Sequence, residues 1–320
     1  MARRIPSGTV SGTGPLRILL IVNAIASSVT LRRRNVIQKA LGADHDLTVS
    51  ETIRRGHATR LAQDAVRTDV DVVVVLAGDG TLNEAANGLA GSQTALAPLP
   101  GGSTNVFARS IGVSLDPIDA TSELLESLAR RSFKRIGLGS VEGRRFVFHC
   151  GVGFDAAVIH EVERGGSILK RYLAHALYVF ATINTHLRRY ERPPFTVELP
   201  DGEVLGPSTF AIVSNQRPWS YLGSRPLHVN TNVELEGRLS LTLLHSISPT
   251  VLFRLAASAV GTGRAFHRHR KVDQRDDLEH LTVTGERPVP YQVDGDYLGE
   301  AERLDIGYEP DALTLVVPVD

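Results

Sequence analysis

The feature that most constrains this sequence is a glycine-rich turn that directly follows an unbroken apolar run. Val72–Leu76 is wholly apolar, and the chain continues Ala77-Gly78-Asp79-Gly80-Thr81-Leu82-Asn83-Glu84 into a helical pattern. A continuous apolar run is typical of a strand buried on both faces of a sheet. Glycines without Cβ atoms let the backbone approach a ligand closely. The segment therefore predicts an open parallel sheet with a binding site beyond the carboxyl ends of its strands.

The chemistry of this turn favours a phosphate ligand. Successive N–H groups at the start of a helix bind anions. The turn lacks the Gly-Lys-Ser/Thr of a Walker loop, and Asn83 stands where a dinucleotide fingerprint has its third glycine. Because Asp79 would repel phosphate directly, we expect a nucleotide handled with Mg²⁺. The alternative is that Thr81 and Glu84 form a capping box, which needs no ligand.

A second turn of the same kind follows about 20 residues later. Ala95–Leu99 is predicted to be a strand, and Pro100-Gly101-Gly102-Ser103-Thr104-Asn105 then leads into a short helix from Val106 to Gly112. Two such turns on neighbouring strands can flank one phosphate chain. Both turns are therefore candidate parts of one nucleotide site.

The order of predicted elements divides the chain into two domains behind a tail at 1–15. Strands alternate with helices over 16–137, with helices predicted at Leu31–Leu41, His57–Arg67, Thr81–Leu89 and Pro117–Arg130. Short β-patterned runs follow over 138–305, among them Phe146–Cys150 and Leu281–Val283, with one long helix predicted at Ile168–Tyr190. The final strand lies within 306–320, and its return to the first domain is left open. The fold class predicted is α/β plus β, a Rossmann-like nucleotide-binding domain followed by an antiparallel β-sandwich domain.

Composition excludes several classes of protein. Lys and Arg total 35 and so do Asp and Glu, so the chain has no net charge. A large basic surface of the kind that binds nucleic acid is therefore not expected. Cys150 is the only cysteine, which excludes a disulfide scaffold. The first apolar run, Ile18–Val22, has the length of a strand, and no run reaches a transmembrane length. We expect a cytoplasmic protein that does not bind nucleic acid.

Four segments together resemble the catalytic domain of the diacylglycerol kinase family. Ala77–Leu89 is similar to its G-G-D-G-T-x-N-E-x-x-N-G-L signature, Gly102–Arg109 to its G-T-x-N-D-F-A-R element, His149–Val158 to its next element, and Gln292–Asp296 to its late Q-x-D-G-E element. They occur in the family's order from Ile18 to Val317. The resemblance implies a kinase that uses ATP and Mg²⁺ to phosphorylate a lipid hydroxyl, diacylglycerol or a similar alcohol, in transient contact with the inner membrane surface. A homo-oligomer is left open.

The resemblance also implies roles for individual residues. Asp296 is the implied proton acceptor, with Asp294 in the same carboxylate and metal cluster and Asp79 organising metal and phosphate. Glu236 could ligate an accessory metal, and Asp79 could reach Mg²⁺ through the bound nucleotide. The implied nucleotide contacts lie in four loops: Asn23, Ala24, Ile25, Ala26 and Ser27; Thr52; Ala77, Gly78, Asp79, Gly80, Thr81, Asn83 and Glu84; and Gly102, Ser103, Thr104 and Asn105.

Departures from the family pattern keep two alternatives open. Val106 and Gly137 stand where the family has Asp, Ser28 where some members have Lys, and Asp296 where the family has Glu. These losses motivate a non-catalytic nucleotide or lipid binder. The G-D-G-T sequence also occurs in the related NAD kinases, so NAD is an alternative acceptor. The basic run Arg264–Lys271 and the Ile168–Tyr190 helix are predicted to be a solvated loop and a packed helix, with contact to acidic lipid as the minority interpretation for each.

Overall fold

A computed structural model describes residues 14–23, 29–164, 193–230, 232–245 and 270–319, with the isolated residues 248, 251 and 258. It divides the chain into two compact units, 1–136 with 311–320 and 137–310. Predictions for the tail, for Ala24, Ile25, Ala26, Ser27 and Ser28, for the 168–190 helix and for most of the 264–271 run lie outside the described residues.

The first unit is a parallel sheet with helices between its strands. Its elements are β1 (Arg17–Val22), α1 (Leu31–Asp44), β2 (Asp46–Glu51), α2 (His57–Arg67), β3 (Val72–Ala77), α3 (Asp79–Leu89), β4 (Ala95–Pro100), α4 (Val106–Ser110) and α5 (Pro117–Ala129). The strand order is β2-β1-β3-β4, and all neighbours are parallel. Thr314 and Leu315, near the end of the chain, add a further parallel strand beside β4. Every residue of β3 is buried, as its apolar sequence predicts.

Local chemistry places the helices of this unit. Asp116 accepts a hydrogen bond from the N–H of Ile118 and so caps α5, which has proline in its first turn. Gly88 lets α3 pack tightly against α2, because a Cβ there would lie 2.5 Å from the carbonyl oxygen of Thr59. These features orient the helices around the carboxyl ends of the strands.

The second unit is antiparallel. Its elements are β5 (Phe133–Val141, entered from the first unit), β6 (Arg144–Phe146), β7 (His149–Gly153), α6 (Phe154–Arg164), β8 (Phe195–Glu198), β9 (Val204–Ser208), β10 (Phe210–Ser214), β11 (Ser220–Leu222), β12 (Arg225–Leu227), β13 (Leu239–Leu244), β14 (Val272–Leu278), β15 (His280–Val293) and β16 (Asp296–Val316). The main order is β14-β13-β10-β7-β15-β16. Inward-facing residues of these strands build one apolar core.

The predicted fold class is confirmed, and three predictions about its elements are wrong. Phe146–Cys150 is not one strand, because the N–H groups of Val147 and Phe148 donate to the side chain of Asp294. The run at Leu281–Val283 is only one part of the much longer β15. Helix α3 begins at Asp79 rather than Thr81. Within the described ranges, no helix combines the length and the apolar character needed to cross a membrane.

The packing of Gly137 against Tyr308 explains one departure from the family pattern. A Cβ at Gly137 would lie 2.1 Å from the Tyr308 ring, so the ring occupies the space of the missing side chain. We expect Gly137→Ala to lower the free energy of unfolding by about 1–3 kcal/mol through overpacking. Urea denaturation would measure this loss.

Two further variants make the test specific. Tyr308→Ala should relieve the clash, so the double variant should lose less stability than the sum of the single variants. Gly42→Ala is the control, because a Cβ there meets only ordinary contacts at 3.8 Å. Additive losses in the double variant would contradict this packing explanation.

Candidate active site

The two glycine-rich turns of the first unit lie against each other. A Cβ at Gly102 would be 2.7 Å from the Cα atom of Gly78, and one at Gly101 would be 2.9 Å from the Cα atom of Ala77. Only glycine permits backbones to approach this closely. The structure thus brings together the two segments that the sequence analysis assigned to one site.

Asp79 joins the two turns through its carboxylate. Its oxygens accept hydrogen bonds from the N–H groups of Val106 and Phe107, at 2.9 and 3.1 Å. These two residues begin α4, so a side chain at the start of α3 caps the start of α4. Burial raises the pKa of Asp79, while the two N–H groups and Arg109 oppose that rise. Asp79 therefore holds the backbones of the two glycine-rich turns in a fixed position relative to each other.

The predicted capping box of Thr81 and Glu84 is wrong. The N-cap of α3 is Gly78, which has no side chain to bond. The Glu84 carboxylate instead accepts from the N–H groups of Gly56 and Ala58, at 2.8 and 3.1 Å, where α2 begins. Thr81 accepts a hydrogen bond from the side-chain amide of Asn23 at 3.3 Å. Glu84 is thus a structural residue, whereas Thr81 and Asn23 lie together at the carboxyl edge of the sheet.

The remaining predicted nucleotide residues of this unit also follow the strands. Asn105 has a positive φ of 47°, and its side chain both accepts from and donates to the Gly102 backbone at 2.8 Å. Ser103 is exposed at the tip of the same turn and Thr104 is half-buried. Thr52 follows β2, where its N–H donates to the carbonyl of Val22. Asn83 differs, because it is buried within α3 and only 2% exposed.

In the second unit, the β15–β16 turn is held by the carboxylate of Asp294. It accepts from the N–H groups of Val147, Phe148 and His149 at 2.8 to 2.9 Å. Asp294 itself has a positive φ of 49°. Asp296, two residues later, is partly exposed, and its carboxylate lies 3.7 Å from the guanidinium of Arg144. The predicted turn at Asp294-Gly295 is confirmed, and the catalytic roles of both acids stay predictions.

A further contact holds the same turn from helix α6. The Gln292 amide donates to Asp155 at 2.8 Å, and its oxygen accepts from the N–H of Gly295 at 2.7 Å. Burial raises the pKa of Asp155 to about 6, and the hydrogen bond from Gln292 opposes the rise. A Cβ at Gly151 would overlap Asp155, at 1.8 Å from its oxygen, so glycine is required there.

Helix α6 also contacts the strand that follows the turn. The His160 ring stacks on Tyr297 with ring centroids 4.1 Å apart. No role was predicted for Asp155 or Gln292. The only indication in the sequence is that Asp155 lies in the family's third element and that Gln292 begins its last element.

The described residues do not build a metal cage of their own. Among them, no group of three or more His, Cys, Asp or Glu side chains gathers as metal ligands would. Glu236 is exposed, and neighbouring Arg238 pairs with Asp277 and Glu279 at 3.5 and 3.0 Å. A Mg²⁺ ion that bound with a nucleotide would take most of its ligands from phosphate and water oxygens, with the carboxylate of Asp79 at the adjoining turn.

Comparison with known proteins gives concordant results. Residues 17–141 match the model of the diacylglycerol kinase catalytic domain. A Pseudomonas aeruginosa protein named "Probable lipid kinase YegS-like" is 28% identical over 94% of both chains. The diacylglycerol kinase of Bacillus subtilis is 32% identical over 45% of this chain and 46% of its own length.

Solved structures show the same fold. A structure from Bacillus anthracis str. Sterne has a TM-score of 0.75 at 23% identity and covers 97% of this chain and 98% of its own. A diacylglycerol kinase structure from the same organism has a TM-score of 0.67 at 20% identity, over 94% of this chain and 96% of its own. Residues 17–141 therefore match the catalytic domain of the diacylglycerol kinase family, and the chain is similar over nearly its whole length to a relative named as a probable lipid kinase.

Proposed function

We propose that this protein transfers the γ-phosphoryl group of ATP to the hydroxyl of a lipid alcohol, with diacylglycerol as the first candidate acceptor. The acceptor oxygen forms a bond to the γ-phosphorus while the bridging oxygen–phosphorus bond breaks and ADP leaves. The hydroxyl proton passes to a carboxylate. We place the protein in the cytoplasm, in contact with the membrane surface that holds its substrate.

The observation that carries this proposal is the joining of the two glycine-rich turns by Asp79. Its carboxylate fixes Val106 and Phe107 beside the start of α3. The first N–H groups of a helix have no partner within the helix and favour anions. The exposed Gly80 and Ser103 are the tips of the two turns. A rigid double turn of this kind suits a phosphate chain, since preorganised donors stabilise developing charge.

We assign the proton acceptor to Asp296. The other acid of its turn, Asp294, already accepts three backbone hydrogen bonds, so it serves to hold the turn. Asp296 is shorter than the Glu of the family by one methylene, about 1.3 Å of reach. Mg²⁺ bound with ATP would neutralise charge on the phosphates, with Asp79 at the adjoining turn. The chain's own residues orient the phosphates and accept the proton.

The first prediction concerns Asp296. Asp296→Asn removes the proton acceptor and should lower kcat by about 10²- to 10⁴-fold with little change in nucleotide affinity. Transfer from γ-labelled ATP and Mg²⁺ to mixed micelles measures it, with a panel of diacylglycerol, monoacylglycerol, ceramide, sphingosine and undecaprenol. Glu302→Gln, an exposed acid on the same strand, is the matched control.

Asp79→Asn separates the roles of the two units. It should break the link between the turns and weaken both ATP binding and transfer.

Full transfer by Asp296→Asn would contradict its assignment as proton acceptor. Wild-type transfer to NAD but not to lipid would contradict the lipid acceptor. ATP binding by calorimetry without transfer to any acceptor would contradict the kinase function.

The next prediction concerns the raised pKa of Asp155 and its effect on stability. Groups with strongly shifted pKa values often lie at functional sites. The folded protein holds this proton more tightly than the unfolded chain, so stability falls as pH rises from about 4 to about 6 and stays lower above. A shift from 3.8 to about 6 corresponds to about 3 kcal/mol. Asp155→Asn should therefore gain stability over the wild type at pH 8 and lose that advantage toward pH 4.

Urea denaturation at several pH values from 4.5 to about 8 would measure this difference. The Asn oxygen can still accept from Gln292, so the turn should keep its geometry. If Asp155→Asn is no more stable than the wild type at pH 8, the result would contradict the claim that the buried carboxylate destabilises the folded protein when it is ionised.

A further inference from the structure

Three large apolar side chains are exposed in one region of the first unit. Leu31 begins α1, Ile53 follows β2 and Leu115 precedes α5, and they are 78%, 77% and 52% exposed. A single exposed apolar residue is normal and needs no explanation. Three of them around one helix start are a feature that folding alone does not require.

Two ion pairs hold these residues around the first turn of α1. Arg33 pairs with Asp116 at 3.1 Å, which brings the residue after Leu115 to the helix. Arg34 pairs with Glu51, which brings the end of β2 and the following Ile53 to the same turn. The segments that carry Ile53 and Leu115 are therefore tied to the first turn of α1, which Leu31 begins.

The apolar residues alternate with exposed arginines. Arg32 follows Leu31 and Arg54 follows Ile53, and both are exposed. Neither forms an ion pair with any residue in the part of the chain that the structure describes. We call Leu31, Arg32, Ile53, Arg54 and Leu115 the α1 rim. Because the whole chain has 35 basic and 35 acidic residues, this rim is a local excess of positive charge.

We propose that the α1 rim docks onto the surface of a bilayer that contains anionic lipid. Apolar side chains enter the boundary between headgroups and acyl chains, and arginines next to them meet lipid phosphates. The inference rests on the proposed function in one respect, that the acceptor is a lipid held in a bilayer. It adds the surface by which the enzyme reaches that bilayer.

The charge of the rim argues against other occupants. A second copy that used the same patch would bring two positively charged surfaces together across a two-fold axis. Single-stranded nucleic acid is bound by aromatic platforms along a basic groove, and the rim contains no aromatic residue. An anionic bilayer satisfies both the apolar and the basic members of the rim.

Sedimentation with vesicles tests the proposal on the full chain. Vesicles of phosphatidylcholine alone are compared with vesicles in which about a third of the lipid is phosphatidylglycerol, at about 0.1 M salt. The wild type should bind the anionic vesicles more strongly, and added salt should weaken that binding. Equal binding to both vesicles, or no binding, would overturn the proposal.

Single substitutions locate the surface. Arg32→Gln and Arg54→Gln should each lower the vesicle partition coefficient about five-fold. Leu31→Ser and Ile53→Ser should each lower it about ten-fold. Circular dichroism and urea denaturation check that the variants remain folded, which is expected because all four side chains are exposed.

Two controls match these changes. Lys39→Gln removes an exposed charge on the same helix, about 10 Å further along its axis, and should change binding less than two-fold. Val204→Ser removes an apolar side chain that is 61% exposed in the second unit. A loss in Lys39→Gln as large as that in Arg32→Gln would show diffuse attraction and overturn the α1 rim as the docking surface.

Activity on a water-soluble short-chain diacylglycerol separates this inference from the proposed function. The rim variants should keep wild-type transfer to dihexanoylglycerol and lose transfer to long-chain diacylglycerol in vesicles. Transfer to the soluble acceptor without any vesicle binding would overturn the docking surface alone. Vesicle binding through the rim without transfer to any acceptor would overturn the kinase function and leave the docking surface supported.

Discussion

The Asp79 carboxylate joins the two glycine-rich turns, and the candidate nucleotide site depends on that link. The turns approach so closely that Gly102 has no room for a Cβ, which would lie 2.7 Å from the Cα atom of Gly78. Close backbone approach alone would leave the start of α4 without a cap, and Asp79 supplies it through Val106 and Phe107. The Asp79 side chain, in the first turn of α3, thus accepts hydrogen bonds from the N–H groups at the start of α4. The cost is a partly desolvated carboxylate, which hydrogen bonds from the N–H groups offset.

The second unit uses the same device at the turn between β15 and β16. Asp294 accepts three hydrogen bonds from the backbone N–H groups between the end of β6 and the start of β7. Gln292 connects the turn to α6 through its hydrogen bond to Asp155. The turn is therefore held from two sides, which leaves Asp296 on a rigid support. Functional groups are most effective when their positions are fixed before substrate binds, because orientation then costs nothing during the reaction. Each unit thus uses one carboxylate, Asp79 or Asp294, to hold a segment of backbone in position.

The sequence was sufficient to predict what depends on local pattern. The apolar run of β3 and the glycines after it located the first turn, and strand–helix alternation gave the parallel unit. The partners of the carboxylates could not be predicted, because they are remote in sequence. Asp79 meets a residue 27 positions away, and Asp155 meets one 137 positions away. The Thr81–Glu84 spacing matched a capping box, yet Glu84 serves the start of α2, since tertiary packing offered it two unpaired N–H groups there.

Two of the departures from the family pattern, at Val106 and Gly137, have local explanations. Val106 has no carboxylate, but its contact with Asp79 is made by the backbone N–H, which any residue except proline provides. Gly137 lacks a side chain because the Tyr308 ring fills that space, so an Asp could not be accommodated without moving the ring. The glycines at 101, 102 and 151 leave no room for a Cβ, so the close packing of the two turns and of Asp155 is intact in this chain. The departures at Val106 and Gly137 therefore remove no contact that holds the turns in place, which favours a working phosphotransferase over a passive binder.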